Sequence, residues 1–176
     1  WKYPATGSPN MRMVWFFDRA MKLQLRDGES GRITVVDTTT SYESRSYEVS
    51  PDSRWIVYTK NGPNDQGTIW VFNIETGKAR QLTDGTFSDR GPVFSKCGNY
   101  IFFISNRDFN LDFSSFEFTY LYNKASRIYA LALRKDSPKL FEPKETTESA
   151  GKADKKEEPK KDVMVSIDFE GTKHCI

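Results

Sequence analysis

Short apolar runs recur along the chain, each entered through a polar turn that begins with serine. Three such segments, "SPNMRMVWF" (8–16), "SPDSRWIVY" (50–58) and "SKCGNYIFF" (95–103), start 42 and 45 residues apart. In the middle one, Pro51 presets φ for a tight turn, and Asp52 can bond the backbone two residues on. Trp55-Ile56-Val57-Tyr58 then reads as a buried strand, rich in β-branched and aromatic residues. Ile69-Trp70-Val71-Phe72 is the next strand, and Glu75-Thr76-Gly77-Lys78 is a hairpin turn in which Gly77 takes φ > 0. Ala79 to Leu82 returns as a short outer strand.

A second column repeats with the first. "KLQLRDGESGRITVVD" (22–37) lies over "TIWVFNIETGKARQLT" (68–83) without a gap, setting Glu29-Ser30-Gly31 on Glu75-Thr76-Gly77. In the third unit the matching strand is delayed, and "SRIYALALRKDSPKLF" (126–141) fills the role after an insertion. Strand, turn and strand at this period predict an all-β fold of β-propeller blades, each of four antiparallel strands. The alternative is an antiparallel sandwich of hairpins, which does not normally repeat its turn chemistry at this spacing. Residues 1–142 supply about three blades, divided as 8–49, 50–94 and 95–142. Residues 143–162 are a charged linker, and 163–176 begin the next blade strand. Closed propellers typically need four to eight blades, and three alone leave unpaired edges. The chain therefore reads as part of a larger propeller, in keeping with its start at Trp1 without a leader-like segment.

Composition narrows the partners. Aromatic residues make up 14% of the 176 positions, which supplies burial enough for an ordered domain. A formal net charge of +2 is too small to imply nucleic acid. No run approaches the length of a membrane span. Cys97 and Cys175 are too few and too far apart for a disulfide framework or a metal site, so cytoplasm and periplasm stay equally open.

With the repeats on the page, a resemblance follows. "SPDSRWIVYTK", "IWVFNIETGKARQLTDGTFSDRGPVFS" and "YIFFISNRDFN" resemble the propeller repeats of the tricorn protease family, over about residues 8–142 and 163–171. Asp89-Arg90-Gly91-Pro92 before Val93-Phe94, the Ser105-Asn106-Arg107-Asp108-Phe109 cluster and "VSIDFEG" after the linker carry it. The resemblance implies a serine peptidase as parent chain, with β-propellers, a PDZ domain and a catalytic domain elsewhere. This segment would scaffold the enzyme and gate the passage of peptide substrate or product, with other domains of the same chain, and a homo-oligomer, as further partners. The WD40-like (PD40) repeat is itself less specific. A non-enzymatic TolB-like propeller that binds a protein partner, or the propeller of a prolyl oligopeptidase-like enzyme, is the alternative. The sequence departs from the family where Ser53 stands for the usual glycine of the turn, and where Lys96-Cys97 stands for Pro-Asp.

Candidate chemistry within the chain is sparse. An activated serine needs an acid–base partner, and the one histidine, His174, sits three residues from the end beside Cys175. There is no Gly-x-Ser-x-Gly elbow and no metal-ligand spacing, so no catalytic residue, metal or cofactor is expected. Cys97 reads as a half-exposed turn thiol. The stretch 144–161 carries six lysines and five acidic residues in 18 positions, which suits a solvated linker. In the insertion 108–124, Phe116, Phe118 and Tyr120 fall at period two and predict an added strand or an aromatic edge cover, the alternative being an apolar docking patch. Arg90 and Arg107 are the candidate substrate-binding residues, able to meet peptide carboxylates by paired hydrogen bonds if they line the channel. The competing expectation for Ser105-Asn106-Arg107-Asp108 is a structural corner at the end of a strand, with Arg107 bridging to a carboxylate on the next blade.

Overall fold

The computed structural model describes residues 6–8, 10, 12–20, 22–38, 46–108, 111–113, 120–122, 126–140 and 163–169. These form strands and turns only. Strands β1 (Thr6–Gly7), β2 (Met13–Phe17), β3 (Lys22–Asp27) and β4 (Ile33–Thr38) make a four-stranded sheet in that order. Strands β5 (Tyr47–Val49), β6 (Trp55–Asn61), β7 (Gly67–Asn73) and β8 (Lys78–Gln81) make a second sheet of the same order. The third sheet contains β9 (Asp89–Phe94), β10 (Tyr100–Ser105) and β13 (Arg127–Ala132), with β10 in the middle. Between β10 and β13 a separate hairpin pairs β11 (Leu111–Phe113) with β12 (Tyr120–Tyr122). All pairings are antiparallel. The all-β, blade-like architecture expected from the repeat is therefore present. Of the aromatic insertion, Tyr120 opens β12, whereas Phe116 and Phe118 lie outside the described residues.

The repeated serine turn has one geometry in all three sheets. Ser8, Ser50 and Ser95 each donate their backbone N–H to the carbonyl of the residue five positions on, at 2.8, 2.9 and 2.9 Å. Each hydroxyl also accepts the N–H of that residue: Met13 at 3.0 Å, Trp55 at 2.9 Å and Tyr100 at 3.0 Å. Asn10 and Asp52 accept from the first two hydroxyls, and the Cys97 sulfur takes that place in the third turn. Lys96-Cys97 thus replaces Pro-Asp without changing the turn, because the serine side chain supplies the organising bonds. Gly98 (φ 73°) and Ser53 (φ 58°) share the left-handed position. Ser53 holds a conformation that costs a non-glycine residue about 1–2 kcal/mol. The hairpin glycines Gly31 (φ 69°) and Gly77 (φ 66°) are left-handed in the same way, as the turn chemistry requires.

Sheet packing explains why the β6 sequence is apolar without alternation. Ile56 and Tyr58 face the first sheet, among Trp15, Phe17, Leu23 and Leu25. Val57, with Ile69 and Val71 of β7, faces the third, among Phe94, Ile101, Phe103 and Leu131. Both faces of the middle sheet are buried, and burial of each large aliphatic side chain contributes roughly 1.5–3 kcal/mol.

Polar ties stitch the seams. Asp37 of β4 accepts hydrogen bonds from the Tyr58 hydroxyl (2.7 Å) and the Lys60 ammonium (2.8 Å). The Glu48 carboxylate of β5 accepts the Phe94 N–H of β9 at 2.6 Å. Segment 163–169 lies over the second seam: Val165 donates its N–H to Asp52 (2.8 Å) and accepts from the Trp55 indole (3.2 Å). Asp168 donates its N–H to the Leu133 carbonyl at 2.7 Å, extending the edge of the third sheet by one bond.

Candidate functional site

Sequence reasoning singled out Arg90 and Arg107, and the structure gives them different surroundings. Asp89 and Arg90 are consecutive in β9, so their side chains leave opposite faces of the sheet. The Asp89 carboxylate is 1% exposed. It receives Nη2 of Arg107 at 3.0 Å to each oxygen, while Nε of Arg107 donates to the Ser105 hydroxyl at 2.9 Å. Three rings surround the same guanidinium, with centroids 5.5 Å away for Phe87, 5.4 Å for Phe103 and 4.9 Å for Tyr129. A cation held among aromatic faces and bonded to a buried carboxylate is a packed structural group. The carboxylate that Arg107 meets belongs to β9 of its own sheet, not to the next blade. The reason is local: the β8–β9 connection folds back under the end of β10. There the Ser88 N–H donates to Asn106 Oδ1 (2.8 Å) and the Asn106 N–H to the Ser88 carbonyl (3.3 Å).

Arg90 is exposed. Its Nη2 donates to the Ser126 hydroxyl at 3.5 Å, and its register partner on β10 is Ile104. Gly91 (φ 61°) and Pro92 follow at a bulge in the β9–β10 pairing. The structure therefore separates the two candidates rather than bringing them together at one site.

A cleft of about 470 Å³ opens at the same end of the second sheet as this corner. Lys60, Asn61, Asn64, Trp70, Gln81 and Asp84 are among its lining residues. Lys60 sits over the Trp70 ring at 5.1 Å while bonded to Asp37. Asn64 donates to the Gly85 carbonyl at 2.9 Å, tying the β6–β7 loop to the β8–β9 connection. Asp84 is held below the ordinary carboxylate range, first by the Thr86 N–H and hydroxyl and further by the Arg107 charge. Sequence reasoning missed this cleft. Its geometry depends on where Asn64 bonds, across 21 residues of chain, which no local pattern signals.

The remaining chemistry is thin. Cys97 is exposed; partial burial alone would raise its thiol, but hydrogen bonds with Ser95 and Asn99 bring it below its ordinary value. His174 and Cys175 lie outside the described residues, as does the charged stretch 144–161. Among the described residues no three His, Cys, Asp or Glu side chains converge to hold a metal. Among the described residues no helix is long and apolar enough to cross a membrane.

Comparison with known proteins places this geometry. The profile of the tricorn protease second β-propeller domain matches residues 3–175. A curated relative, tricorn protease homolog 1 of Streptomyces coelicolor, is 25% identical over 122 residues, covering 69% of this chain. A crystal structure of the tricorn protease superposes on 87% of the chain with a TM-score of 0.72 and 20% identity. TolB from Acinetobacter baumannii superposes on 78% with a TM-score of 0.56 and 14% identity, a likeness of fold alone. The chain spans 11% of that curated relative, 16% of the tricorn chain and 31% of the TolB chain.

Proposed function

The chain belongs to the tricorn protease family by its second β-propeller domain, and on that premise we propose that it is a non-catalytic propeller segment that scaffolds a larger serine peptidase and gates peptide passage. The observation that carries the reading is the contrast between the two arginines. Arg107 is consumed by Asp89 and Ser105, so the corner braces the third sheet against the β8–β9 connection. Arg90 stands exposed on β9, which among the described residues pairs with β10 alone and so forms an edge of its sheet. Blades of a propeller surround a central channel. An exposed guanidinium on an edge strand has donors to offer a peptide carboxylate.

In this reading Arg90 meets peptide, Arg107 holds the corner, and the catalytic residues belong to other domains of the parent chain. The test is Arg90→Ala in the full-length parent, assayed on short and long peptides. A selective fall in kcat/KM for the longer peptides supports gating. Equal turnover of both, at the unsubstituted rate, counts against a substrate role for Arg90. Reading the gene beyond Ile176 tests the parentage separately: a PDZ-like region and a peptidase domain support it, and a stop soon after the propeller closes favours a TolB-like binding protein.

A further inference from the structure

Segment 163–169 alternates in sequence and in burial. Val163, Val165, Ile167 and Phe169 are apolar at every second position, with Met164, Ser166 and Asp168 between them. Val165 is buried in the core of the second seam, Ile167 and Phe169 pack against that core, and Met164 and Ser166 are exposed. This is the side-chain period of an extended strand, yet among the described residues the segment is a strand of none of the sheets. Its anchors come from separate elements instead. Val165 is gripped at both backbone groups, its N–H by the Asp52 carboxylate and its carbonyl by the Trp55 indole. Phe169 lies against the Trp55 ring, with centroids 6.1 Å apart, and 4.6 Å from the Arg80 guanidinium. Gly98 leaves the room, since a Cβ there would stand 2.7 Å from Val163 and 3.0 Å from Val165. The second and third sheets thus form a cradle that holds one residue by its backbone and alternate residues by their side chains. Extended peptides are recognised in this way.

We propose that this cradle is a docking site for an extended peptide, apolar at alternate positions and aromatic at its end, and that 163–169 is its resident occupant. Sequence sets the occupant apart. The stretch before it, 144–161, carries six lysines and five acidic residues and no Val, Ile, Leu, Met or aromatic residue, so it has nothing to add to a core. Tethering gives the segment a local concentration of about a millimolar. In the intact chain it therefore excludes a free peptide of the same pattern. Once the tether is cut, the two compete on equal terms. The proposal rests on the second seam and is independent of the role given to Arg90.

The test places a site for a sequence-specific protease within 144–161 and cuts the 176-residue chain after it has folded. A fluorescein-labelled peptide of residues 163–176 is titrated, from about 0.1 to about 100 μM, into cut and intact chain and followed by anisotropy. The cut chain should keep its tryptophan fluorescence and bind the peptide at least about tenfold more tightly than the intact chain. Val165→Asp in the peptide, which would bury a carboxylate, should weaken binding at least about tenfold. Met164→Asp, at a 72% exposed position, should change it by less than about twofold. In the cut chain, Gly98→Ala should weaken binding, whereas Gly77→Ala, also left-handed but with nothing within 4 Å of its Cβ, should not. Loss of the fold on cutting, or a peptide that does not enter the cut chain, overturns the proposal. So does equal binding by cut and intact chain. Equal effects of the two aspartate substitutions, or of the two alanine ones, put the peptide elsewhere and overturn it too.

Discussion

Replacing Arg107 with alanine removes the cation that compensates a carboxylate with 1% exposure. The Asp89 oxygens each lose a 3.0 Å bond, and the Ser105 hydroxyl loses its 2.9 Å donor. Breaking a buried pair on one side typically costs about 3–5 kcal/mol, because the surviving charge stays desolvated. Arg107 retains 20% exposure, so water reaches part of the site and the expected loss lies near the lower limit, about 3 kcal/mol. That is a large fraction of the ~5–15 kcal/mol that holds an ordinary domain folded. Urea unfolding, followed by tryptophan fluorescence, measures it directly, provided the denaturant slope is unchanged. Placing Asp89→Asn in the same background removes the stranded charge and should return half or more of the loss. The four-protein cycle then gives a coupling well above the ~0.5 kcal/mol error of additive sites. Arg107→Lys keeps the charge but not the fork geometry, and should fall between the two. A cost for Arg107→Ala below about 1 kcal/mol, the range of exposed pairs, would refute the brace and return Arg107 to the list of ligand-binding residues.

Other positions make separate predictions. In the third serine turn, a Cβ on Gly98 would lie 2.7 Å from Val163 Cγ1, and φ is +73°; Gly98→Ala should therefore lower Tm by several degrees, whereas Ser53→Gly, which relieves the same backbone position, should hold or raise it. Thr59 is 4% exposed and its hydroxyl has no hydrogen-bond partner among the described residues, so Thr59→Val should stabilise by about 1 kcal/mol in urea unfolding; a loss of similar size would show that the hydroxyl is satisfied. Burial raises the Glu48 carboxyl above its ordinary value, with the Phe94 N–H opposing. The folded state then holds this proton more tightly than the unfolded one, so its contribution is fullest at acid pH and declines as pH rises from the ordinary glutamate range through the raised value. Glu48→Gln keeps an acceptor for Phe94 and should flatten the pH dependence of the urea midpoint across that window; an unchanged slope would contradict the assignment.

The architecture was legible because its determinants are local and repeated. A serine hydroxyl organises five residues, and hairpin glycines at fixed offsets do the rest, so Ser8, Ser50 and Ser95 could be aligned without any long-range contact. The same locality explains what sequence could not supply. Arg107 was visible as part of a corner, but its partner depends on the β8–β9 connection folding beneath β10, a contact 18 residues away in the chain. Segment 163–169 was expected to begin a strand; its bonds to Asp52 and Trp55 cross more than a hundred residues, beyond the reach of any periodic signal. The cleft beside Trp70 escaped notice for a related reason. Trp70 reads as one more core aromatic of β7, and only the position of Lys60 and the loops around it leaves the indole at an opening.

The most direct test of a propeller segment without chemistry of its own is peptide cleavage by the purified 176-residue chain. Quenched fluorescent peptides of several lengths would be followed with a serine-reactive fluorophosphonate as a second readout. The account predicts no hydrolysis above the buffer rate and no labelling of the chain. Hydrolysis that rises in proportion to the chain through successive purification steps, with fluorophosphonate bound to one of its serines, would contradict it.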